Sequence, residues 1–400
     1  MLKYETKNME IKWFCHGILL YKSSNSRICG NNITANYEDG IRFNDSYNSS
    51  LTGNSVEDNG CGICLDLSSN NTIRENYIAG NGDGIWLRDF ADDNNVYGNN
   101  ITANSVSGIH LDSSSNRISC NNIANNSVGV ELMFAEIPTG LNQIHRNNIT
   151  DNWEGIYLHE LTGNNSIHEN NVSNNRCGIQ LCASSNNTIS GNQIEHNEEE
   201  GIFFELSSRN VLRNNTIAGS NYNLKIWGET FSDCVNDVDA SNTVNGKPIY
   251  YWINKQDMTV PLDAGFVALI NCTNITVQNL SLTKNWHGVL LLSTTNSTIT
   301  RTNVTDNRFG IWVTMSSHNN ITSNNIAENG CGIHFRMSSN NSIHHNNFFD
   351  NTQQVSTINS VNVWDEGVEG NYLSNYEQRY PNATEIDDSG IWDTPYVIDE

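Results

Sequence analysis

Hydrophobic and polar residues recur along this chain with a period of about 22 residues. Each repeat begins with a glycine, and an aliphatic or aromatic residue follows it. A period of this length is typical of solenoid proteins, in which each repeat stacks on its neighbours. The glycine-led pairs occupy residues 17–18, 40–41, 62–63, 84–85, 108–109, 129–130, 155–156, 178–179, 201–202, 265–266, 288–289, 310–311 and 332–333.

The repeat at residues 62–83, GICLDLSSNNTIRENYIAGNGD, shows the pattern inside one unit. Ile63 and Leu65 alternate with Cys64, and this alternation predicts a short strand with one buried face. Ile73 and Ile78 each predict the centre of another short strand. The bends between these strands carry Asn71, Asn76 and Asn81.

One repeat is too small to bury four aliphatic side chains by itself. Stacked repeats bury them, because each inward side chain packs on its counterpart ~4.8 Å away. Asparagine tolerates the left-handed backbone of a tight bend, and its amide can bond the asparagine of the next repeat in a ladder. We expect the glycine where the chain bends too sharply for a Cβ atom. The pattern therefore predicts an all-β, single-stranded parallel β-helix of about 15 coils, and the isoleucine-centred strands disfavour a leucine-rich repeat.

The regular register is interrupted between residues 228 and 264, a segment rich in aromatic residues, where Asn245-Gly246 predicts a hairpin turn. The repeat fades again after residue 360, and the aromatic residues of the tail could cover the open end of the last coil. The predicted organisation is a lead-in at 1–16, coils at 17–227, an excursion at 228–264, coils at 265–360 and a capping tail at 361–400.

Charge narrows the classes of function. The chain has 21 Lys and Arg residues against 44 Asp and Glu, a net charge of −23 at pH 7. Nucleic-acid binding requires a basic surface, so this negative charge argues against a nucleic-acid partner. No apolar run is long enough to predict a transmembrane helix. Residues 1–13 lack the apolar segment of a signal peptide, so we expect a fragment or a chain whose leader is lost, with a leaderless cytosolic protein as the alternative.

An even number of cysteines would suit a set of disulfides. In the repeat register, however, no cysteine has another one coil away, so we expect buried free thiols. Cys61 and Cys64 form a lone C-x-x-C, and strand alternation predicts that their side chains lie on opposite faces. The ten cysteines are Cys15, Cys29, Cys61, Cys64, Cys120, Cys177, Cys182, Cys234, Cys272 and Cys331.

Three features together resemble the NosD-type β-helix repeat family: the asparagine-rich G-I-x-L repeats, the block DASNTVNGKPIYYW and the ending GNYLSNY…DDSGIWDTPYVID. The resemblance covers almost the whole chain. It implies a right-handed, pectin-lyase-like β-helix within the carbohydrate-binding and sugar-hydrolase group, similar to surface proteins of methanogenic archaea. It also implies an extracytoplasmic location, and for the named member a periplasmic accessory role in copper-site assembly.

The outward positions of the first strand, two and four residues after each glycine, hold the candidate catalytic residues. A glycosidase needs two carboxylates about 5–9.5 Å apart. Asp112 and Glu131 lie on adjacent coils, which makes such a spacing geometrically possible. His110 and Arg88 complete the best cluster for an acid–base reaction, but neighbouring carboxylates are also expected on any acidic sheet.

The same positions hold aromatic residues that would suit a sugar ligand, since a flat ring covers a sugar face while acids bond its hydroxyls. The candidate carbohydrate-binding residues are Trp86, Tyr157, Phe203, Trp312 and Glu205.

No metal site and no cofactor are predicted. His110 and His159 share a face but lie two coils apart, ~10 Å, which is too far to share one ion. The acids Asp387, Asp388 and Asp393 lack the spacing of a calcium loop. Calcium and copper stay open as ligands, although no motif supports either.

The leading hypothesis from the sequence is a non-catalytic, extracytoplasmic module with a carbohydrate-binding or adhesive role. Its expected partner is a polysaccharide or a cell-envelope glycan, and the oligomeric state is left open. The alternatives are a carbohydrate-active enzyme, namely a polysaccharide lyase, epimerase or glycosidase, and an accessory protein for copper maturation.

Overall fold

The computed structural model describes residues 4–134, 139–365, 367, 370–386 and 393–398. The chain forms two compact units. Unit 1 comprises Met1–Ser220 and Ile226–Gly228, and unit 2 comprises Asn221–Lys225 and Glu229–Glu400. The strand Tyr222–Trp227 is divided between them. Among the described residues, secondary structure is almost entirely β, in about 16 turns of a right-handed parallel β-helix, which confirms the predicted fold.

Each coil of unit 1 contributes one strand to each of three parallel sheets, here called faces 1, 2 and 3 in chain order. Face 1 contains Ile18–Tyr21, Asp39–Asn44, Cys61–Asp66, Asp83–Arg88, Ser107–Leu111, Val128–Leu132, Glu154–Leu158, Cys177–Cys182 and Glu200–Glu205. Face 2 contains Glu5–Lys7, Arg27–Cys29, Ser50–Thr52, Thr72–Arg74, Asn95–Tyr97, Arg117–Ser119, Gln143–His145, Ser166–His168, Thr188–Ser190 and Val211–Arg213. Face 3 contains Glu10–Lys12, Asn32–Thr34, Ser55–Glu57, Tyr77–Ala79, Asn100–Thr102, Asn122–Ala124, Asn148–Thr150, Asn171–Ser173, Gln193–Glu195 and Thr216–Ala218.

Unit 2 repeats this plan with three sheets of its own, which are numbered in the same way within that unit. Face 1 contains Lys247–Ile253, Phe266–Ile270, His287–Leu292, Phe309–Thr314, Cys331–Arg336 and Gln353–Ile358. Face 2 contains Gln256–Thr259, Thr273–Gln278, Thr298–Thr300, Asn320–Thr322 and Ser342–His344. Face 3 contains Ser281–Thr283, Asn303–Thr305, Asn325–Ala327, Asn347–Phe349 and Tyr372–Leu373.

The inward residues of successive coils pack in register. Ile63 pairs with Ile85, and Ile85 pairs with Ile109, so the residue after each glycine forms one continuous buried column. Leu65 and Leu87 begin a second column on the same face. All five side chains are fully buried. Every coil therefore buries the apolar surface that a single repeat would expose.

Asparagine ladders lie at the corners, as predicted. The Nδ2 of Asn76 donates to Oδ1 of Asn99 at 3.0 Å, and the backbone N–H of Asn76 donates to the same oxygen at 3.0 Å. This ladder, between faces 2 and 3, contains Asn31, Asn54, Asn76, Asn99, Asn121, Asn147, Asn170, Asn192 and Asn215. A second ladder, between faces 3 and 1, contains Asn36, Asn59, Asn81, Asn104, Asn126, Asn152, Asn175 and Asn197.

One detail of the corner prediction was wrong. The ladder asparagines do not have left-handed backbone angles; the residues just before them do, for example Asn70 with φ 59°, Glu75 with φ 57° and Gly80 with φ 67°. Asparagine is selected at the corners for its side chain, since its amide both donates and accepts across the stack.

The repeat glycine is required for space rather than for a sharp bend. A Cβ atom on Gly84 would lie 2.5 Å from the carbonyl oxygen of Gly108 and 2.8 Å from Cγ2 of Ile101. The carbonyl belongs to the next coil, so a larger residue would separate the two coils.

All three segments outside the predicted coils contain regular structure. Glu5–Lys7 and Glu10–Lys12, in the predicted lead-in, pair with Arg27–Cys29 and Asn32–Thr34 and so belong to the first coil.

The predicted excursion contains a 3₁₀ helix, Phe231–Cys234, and the short strands Asp237–Val238 and Thr243–Val244. The strand Thr243–Val244 pairs antiparallel with Lys247–Ile253 around the predicted turn at Asn245-Gly246. Lys247–Ile253 also pairs in parallel with Phe266–Ile270, which makes it a coil strand.

In the tail, Trp364, Leu373 and Ile398 pack against the core of unit 2, and Tyr376–Arg379 forms one helical turn.

Candidate functional site

The outward side chains of face 1 in unit 1 form three columns, here called the face-1 strip. One column is the residue before each glycine, and the other two are the second and fourth residues after it. The glycine is skipped in the strand pairing, since Asp83 pairs with Cys61 and Ile85 pairs with Ile63. The residue before the glycine thereby points outward beside the second residue after it, as the ion pair of Asp39 and Arg42 illustrates.

His110 lies at the centre of the strip between two carboxylates. Its Nε2 is 3.0 Å from Oδ1 of Asp112, and its Nδ1 is 3.7 Å from Oδ1 of Asp83. These are ion-pair contacts that are not aligned as hydrogen bonds. Burial opposes the charged ring, but the carboxylates of Asp112, Asp83 and Glu131 outweigh it and raise the pKa of His110 to about 10.

Trp86 joins this cluster from the preceding coil. Its indole ring stacks on His110, with centroids 5.3 Å apart and planes 11° from parallel. Its Nε1 donates to Oδ2 of Asp112 at 2.9 Å. The guanidinium of Arg88 lies over the indole, 4.7 Å from its centroid, and pairs with Asp89 at 2.9 Å. The predicted cluster of Arg88, His110 and Asp112 is therefore connected through Trp86.

Glu131 occupies the next coil and has both oxygens engaged. His159 Nε2 is 2.7 Å from its Oε1, and the hydroxyl of Ser107 donates to its Oε2. Burial raises the pKa of Glu131, but the hydrogen bonds from His159 and Ser107 and the charge of His110 lower it overall. The ring of Tyr157 lies against His159 with centroids 3.9 Å apart. His110 and His159, predicted to be too distant to share an ion, therefore both lie against Glu131.

Glu154 is a strip residue that the sequence reasoning missed. Its Oε1 accepts from Nη1 of Arg176 at 3.0 Å. Burial and the charge of Glu200 raise the pKa of Glu154 to about 7, although Arg176 opposes the shift. The sequence signal that could have identified Glu154 is its position directly before Gly155. Asp39, Asp83 and Glu200 occupy the same position in their coils. Strand alternation counted from the glycine does not predict that this column faces outward.

The candidate sugar-binding residues differ in how far their side chains are exposed to solvent. Trp86, Tyr157 and Glu205 are half-buried. Phe203 and Trp312 are each only 8% exposed. Their assignment to a sugar site stays a prediction.

Trp312 belongs to unit 2 and not to the face-1 strip. It packs against Phe309 and His334, with ring centroids 4.4 and 4.5 Å away. In the same cluster, burial and the charges of Lys225 and His334 lower the pKa of His287 to about 3.

All ten cysteines are free, as predicted. Two expectations about them were wrong. Cys15 and Cys120 are exposed rather than buried. Cys61 and Cys64 lie on the same side of the strand, since their thiols form a hydrogen bond that, with burial, raises the pKa of Cys61.

Among the described residues, one group of three potential ligands has its donor atoms within 4.8 Å of one another: Cys15, His16 and Glu38. The sequence analysis predicted no metal site there. Of the acids considered for a calcium loop, Asp387 and Asp388 lie outside the described residues, while Asp393 accepts hydrogen bonds from Thr384. Within the described part of the chain, no helix is long and apolar enough to cross a membrane.

The chain is similar to several solved structures. The chain is 16% identical to the Dettilon tailspike protein gp208, covering 80% of this chain and 60% of that one, with a TM-score of 0.43. It is 13% identical to the A-module of the Azotobacter vinelandii mannuronan C-5 epimerase AlgE6, covering 90% of this chain and 80% of that one, with a TM-score of 0.42. It is 12% identical to the tailspike protein of E. coli bacteriophage HK620 in complex with a pentasaccharide, covering 84% of this chain and 62% of that one, with a TM-score of 0.46. The chain thus spans about three fifths of the length of these tailspikes.

A comparison with curated protein sequences gave no match. The sequence model of one family matches residues 3–149, 128–260 and 253–378, which together cover most of the chain. The chain belongs to the family described as periplasmic copper-binding protein (NosD).

Proposed function

We propose that this protein binds a neutral polysaccharide or cell-envelope glycan along the face-1 strip, outside the cytoplasm. The observation that carries the proposal is the placement of two half-buried rings, Trp86 and Tyr157, among the fixed carboxylates of Asp112 and Glu131. The periplasmic description of the family supports the location.

The chemistry of the strip suits a sugar ligand. An aromatic ring covers the apolar face of a sugar, and carboxylates accept hydrogen bonds from its hydroxyls. Trp86 already holds Asp112, while His159 and Ser107 hold Glu131. Side chains that are fixed before the ligand arrives lose little conformational entropy on binding, which favours affinity.

Charge selects among glycans. The chain has a net charge of −23, and carboxylates recur throughout the strip. A polymer of uronic acids would meet repulsion at most coils of the strip, whereas a neutral polymer would not. The acidic residues of the strip are Asp39, Asp66, Asp83, Asp112, Glu131, Glu154, Glu200 and Glu205.

The pKa values of the strip residues favour glycan binding over catalysis. With its pKa raised to about 10, His110 is protonated at neutral pH and is a poor general base. Glu131 has a lowered pKa and is ionised, so it is a poor general acid. Glu154, with a pKa near 7, is the strip residue best suited to donate a proton, and the assay below includes turnover for that reason.

The test is affinity electrophoresis of the purified chain against a panel of soluble neutral and uronate polysaccharides, with parallel measurement of released reducing and unsaturated ends. We expect retention by a neutral polymer without release of ends. Trp86→Ala and Tyr157→Ala should each weaken retention about 10- to 30-fold, as expected for an aromatic contact worth ~1.4–2 kcal/mol.

The matched control is Tyr77→Ala, which removes a ring that is 41% exposed on face 3. This variant should bind like the parent chain. Equal weakening by Tyr77→Ala, or no retention by any neutral polymer, would contradict the proposal. Release of new ends would replace it with an enzymatic function.

A further inference from the structure

Two loops at the start of unit 1 bring a thiol, an imidazole and a carboxylate together. Cys15 and His16 precede the strand Ile18–Tyr21, and Glu38 precedes the strand Asp39–Asn44 in the next coil. We propose that Cys15, His16 and Glu38 bind a transition-metal ion of borderline softness, of the Zn²⁺ class. This proposal does not rest on glycan binding, since its three ligands are not among the strip residues and the one strip carboxylate that it uses, Asp39, only positions His16.

The donor atoms are close enough to share one ion. One atom from each residue lies within 4.8 Å of the other two, and His16 Nε2 is 3.3 Å from Oε2 of Glu38. Ligands ~2.0–2.3 Å from a tetrahedral Zn²⁺ are roughly 3.3–3.8 Å from one another. The side chain of Glu38 is 61% exposed and that of His16 is 20% exposed, so small rotations can close the remaining gap.

The backbone fixes the two loops against each other. The N–H of Glu38 donates to the carbonyl of Cys15 at 2.9 Å, and the N–H of Gly17 donates to the carbonyl of Asp39 at 2.9 Å. The N–H of Cys61 then donates to the carbonyl of Glu38 at 2.8 Å. The cluster is therefore held by the same coil-to-coil bonding as the β-helix, which limits the entropy lost on ion binding.

A carboxylate lies behind the imidazole. Oδ2 of Asp39 is 3.0 Å from Nδ1 of His16, although this contact is not aligned as a hydrogen bond. Asp39 is buried, and Nη1 of Arg42 holds the same oxygen at 3.1 Å. Histidine ligands commonly donate their second nitrogen to a carboxylate, which fixes the ring and its tautomer. Asp39 would act as a positioning residue that leaves Nε2 of His16 for the ion.

The donor set selects the kind of ion. Calcium and magnesium take oxygen ligands almost exclusively, so a thiolate and an imidazole disfavour them. Zinc accepts sulfur, nitrogen and oxygen together in a four-coordinate site, and three protein ligands leave one position for water. Copper(II) binds such donors more tightly than zinc, while copper(I) prefers more sulfur. Since the family description names copper, the experiment compares these ions.

The experiment titrates the reduced, chelator-treated full chain with Co²⁺, displaces it with Zn²⁺, and repeats the titration with copper. We expect one ion per chain, a thiolate-to-cobalt charge-transfer band and the visible bands of tetrahedral cobalt. Cys15→Ser should abolish the charge-transfer band, and His16→Gln should weaken Zn²⁺ binding at least about tenfold. Asp39→Asn should weaken Zn²⁺ about 10- to 100-fold while keeping the cobalt spectrum.

The matched control is Cys120→Ser, which removes the other exposed thiol and should leave binding unchanged. Protection of Cys15 from alkylation by Zn²⁺ in the parent chain, read by mass spectrometry, tests the site without any variant. Absence of stoichiometric Co²⁺ or Zn²⁺ binding, a charge-transfer band that persists in Cys15→Ser, or binding of copper alone would each overturn the assignment. None of these results depends on whether a polysaccharide binds.

Discussion

The asparagine ladder at the corner of faces 2 and 3 predicts a large difference between two adjacent residues. Asn121 is buried in the ladder, while Asn122 is exposed at the start of the next strand. Oδ1 of Asn121 accepts both the backbone N–H of Asn99 at 3.0 Å and its Nδ2 at 2.9 Å. Nδ2 of Asn121 donates at 3.0 Å to the carbonyl of Val96 and to Oδ1 of Asn147.

The magnitude follows from the partners that Asn121→Ala leaves behind. The N–H of Asn99 loses its acceptor in a buried corner, which costs ~1–3 kcal/mol. Nδ2 of Asn99 keeps the carbonyl of Ile73, and Oδ1 of Asn147 keeps the backbone N–H at position 121, so these losses are smaller. The variant should lose roughly 2–4 kcal/mol of unfolding free energy. Asn122→Ala removes two exposed side-chain bonds, to Asn100 and from Asn148, and should lose less than about 0.5 kcal/mol.

Urea unfolding gives the overall difference, and hydrogen exchange localises it, because a stack of repeats can open in parts. In Asn121→Ala, we expect amides around Asn99 to exchange about 30- to 1000-fold faster, the ratio that corresponds to 2–4 kcal/mol. Asn122→Ala should keep the exchange pattern of the parent chain. If the two variants are equally stable, the ladder contributes nothing measurable and the explanation of the corner asparagines is wrong.

Three further predictions concern single residues of unit 1. Gly84→Ala should fail to fold or unfold at much lower urea, because its Cβ would lie 2.5 Å from the carbonyl oxygen of Gly108; circular dichroism during a urea titration checks this. The pKa of His110 is raised to about 10 in the folded chain, so its stabilising effect is complete below pH ~6.5 and is lost as the pH rises towards 10; unfolding free energies of the parent chain and His110→Gln should differ in this window. In the reduced native chain Cys15 and Cys120 should react first with a thiol reagent, and mass spectrometry showing rapid labelling of buried cysteines instead would contradict the burial pattern.

The fold could be predicted from the sequence because its determinants recur every coil. Ile63 and Ile85 occupy the same column, as do Asn76 and Asn99 in their ladder, so the period of the residues equals the period of the contacts. Each repeat shows the same residue pattern again, so the prediction of the coil rests on many copies of that pattern. The sequence did not show which corner residue has the left-handed backbone conformation. That residue precedes the ladder asparagine and is often not asparagine itself, as at Glu75.

The candidate site could be predicted only in part. The strip columns two and four residues after the glycine follow from alternation, and they include His110, Asp112 and Glu131, which the structure places in one polar network. The column before the glycine does not follow from alternation, so the outward positions of Asp83 and Glu154 were missed. The cluster of Cys15, His16 and Glu38 lies in loops between strands, where no period applies.

This contrast explains how a repeat protein of this kind acquires a function. Core columns must stay apolar from coil to coil and the ladders must stay asparagine, because each member packs on or bonds to its counterpart in the next coil. The outward columns of face 1 have no such requirement, and they change from Arg42 to Trp86, His110 and Tyr157 without altering the strands that carry them. The ligand that the strip binds can therefore change while the fold stays the same. The outward residues that differ from coil to coil are the ones to test for ligand binding. Tyr157→Ala in the strip should therefore weaken glycan binding with little change in unfolding free energy, whereas Asn121→Ala in the ladder should lower the unfolding free energy and leave glycan binding unchanged.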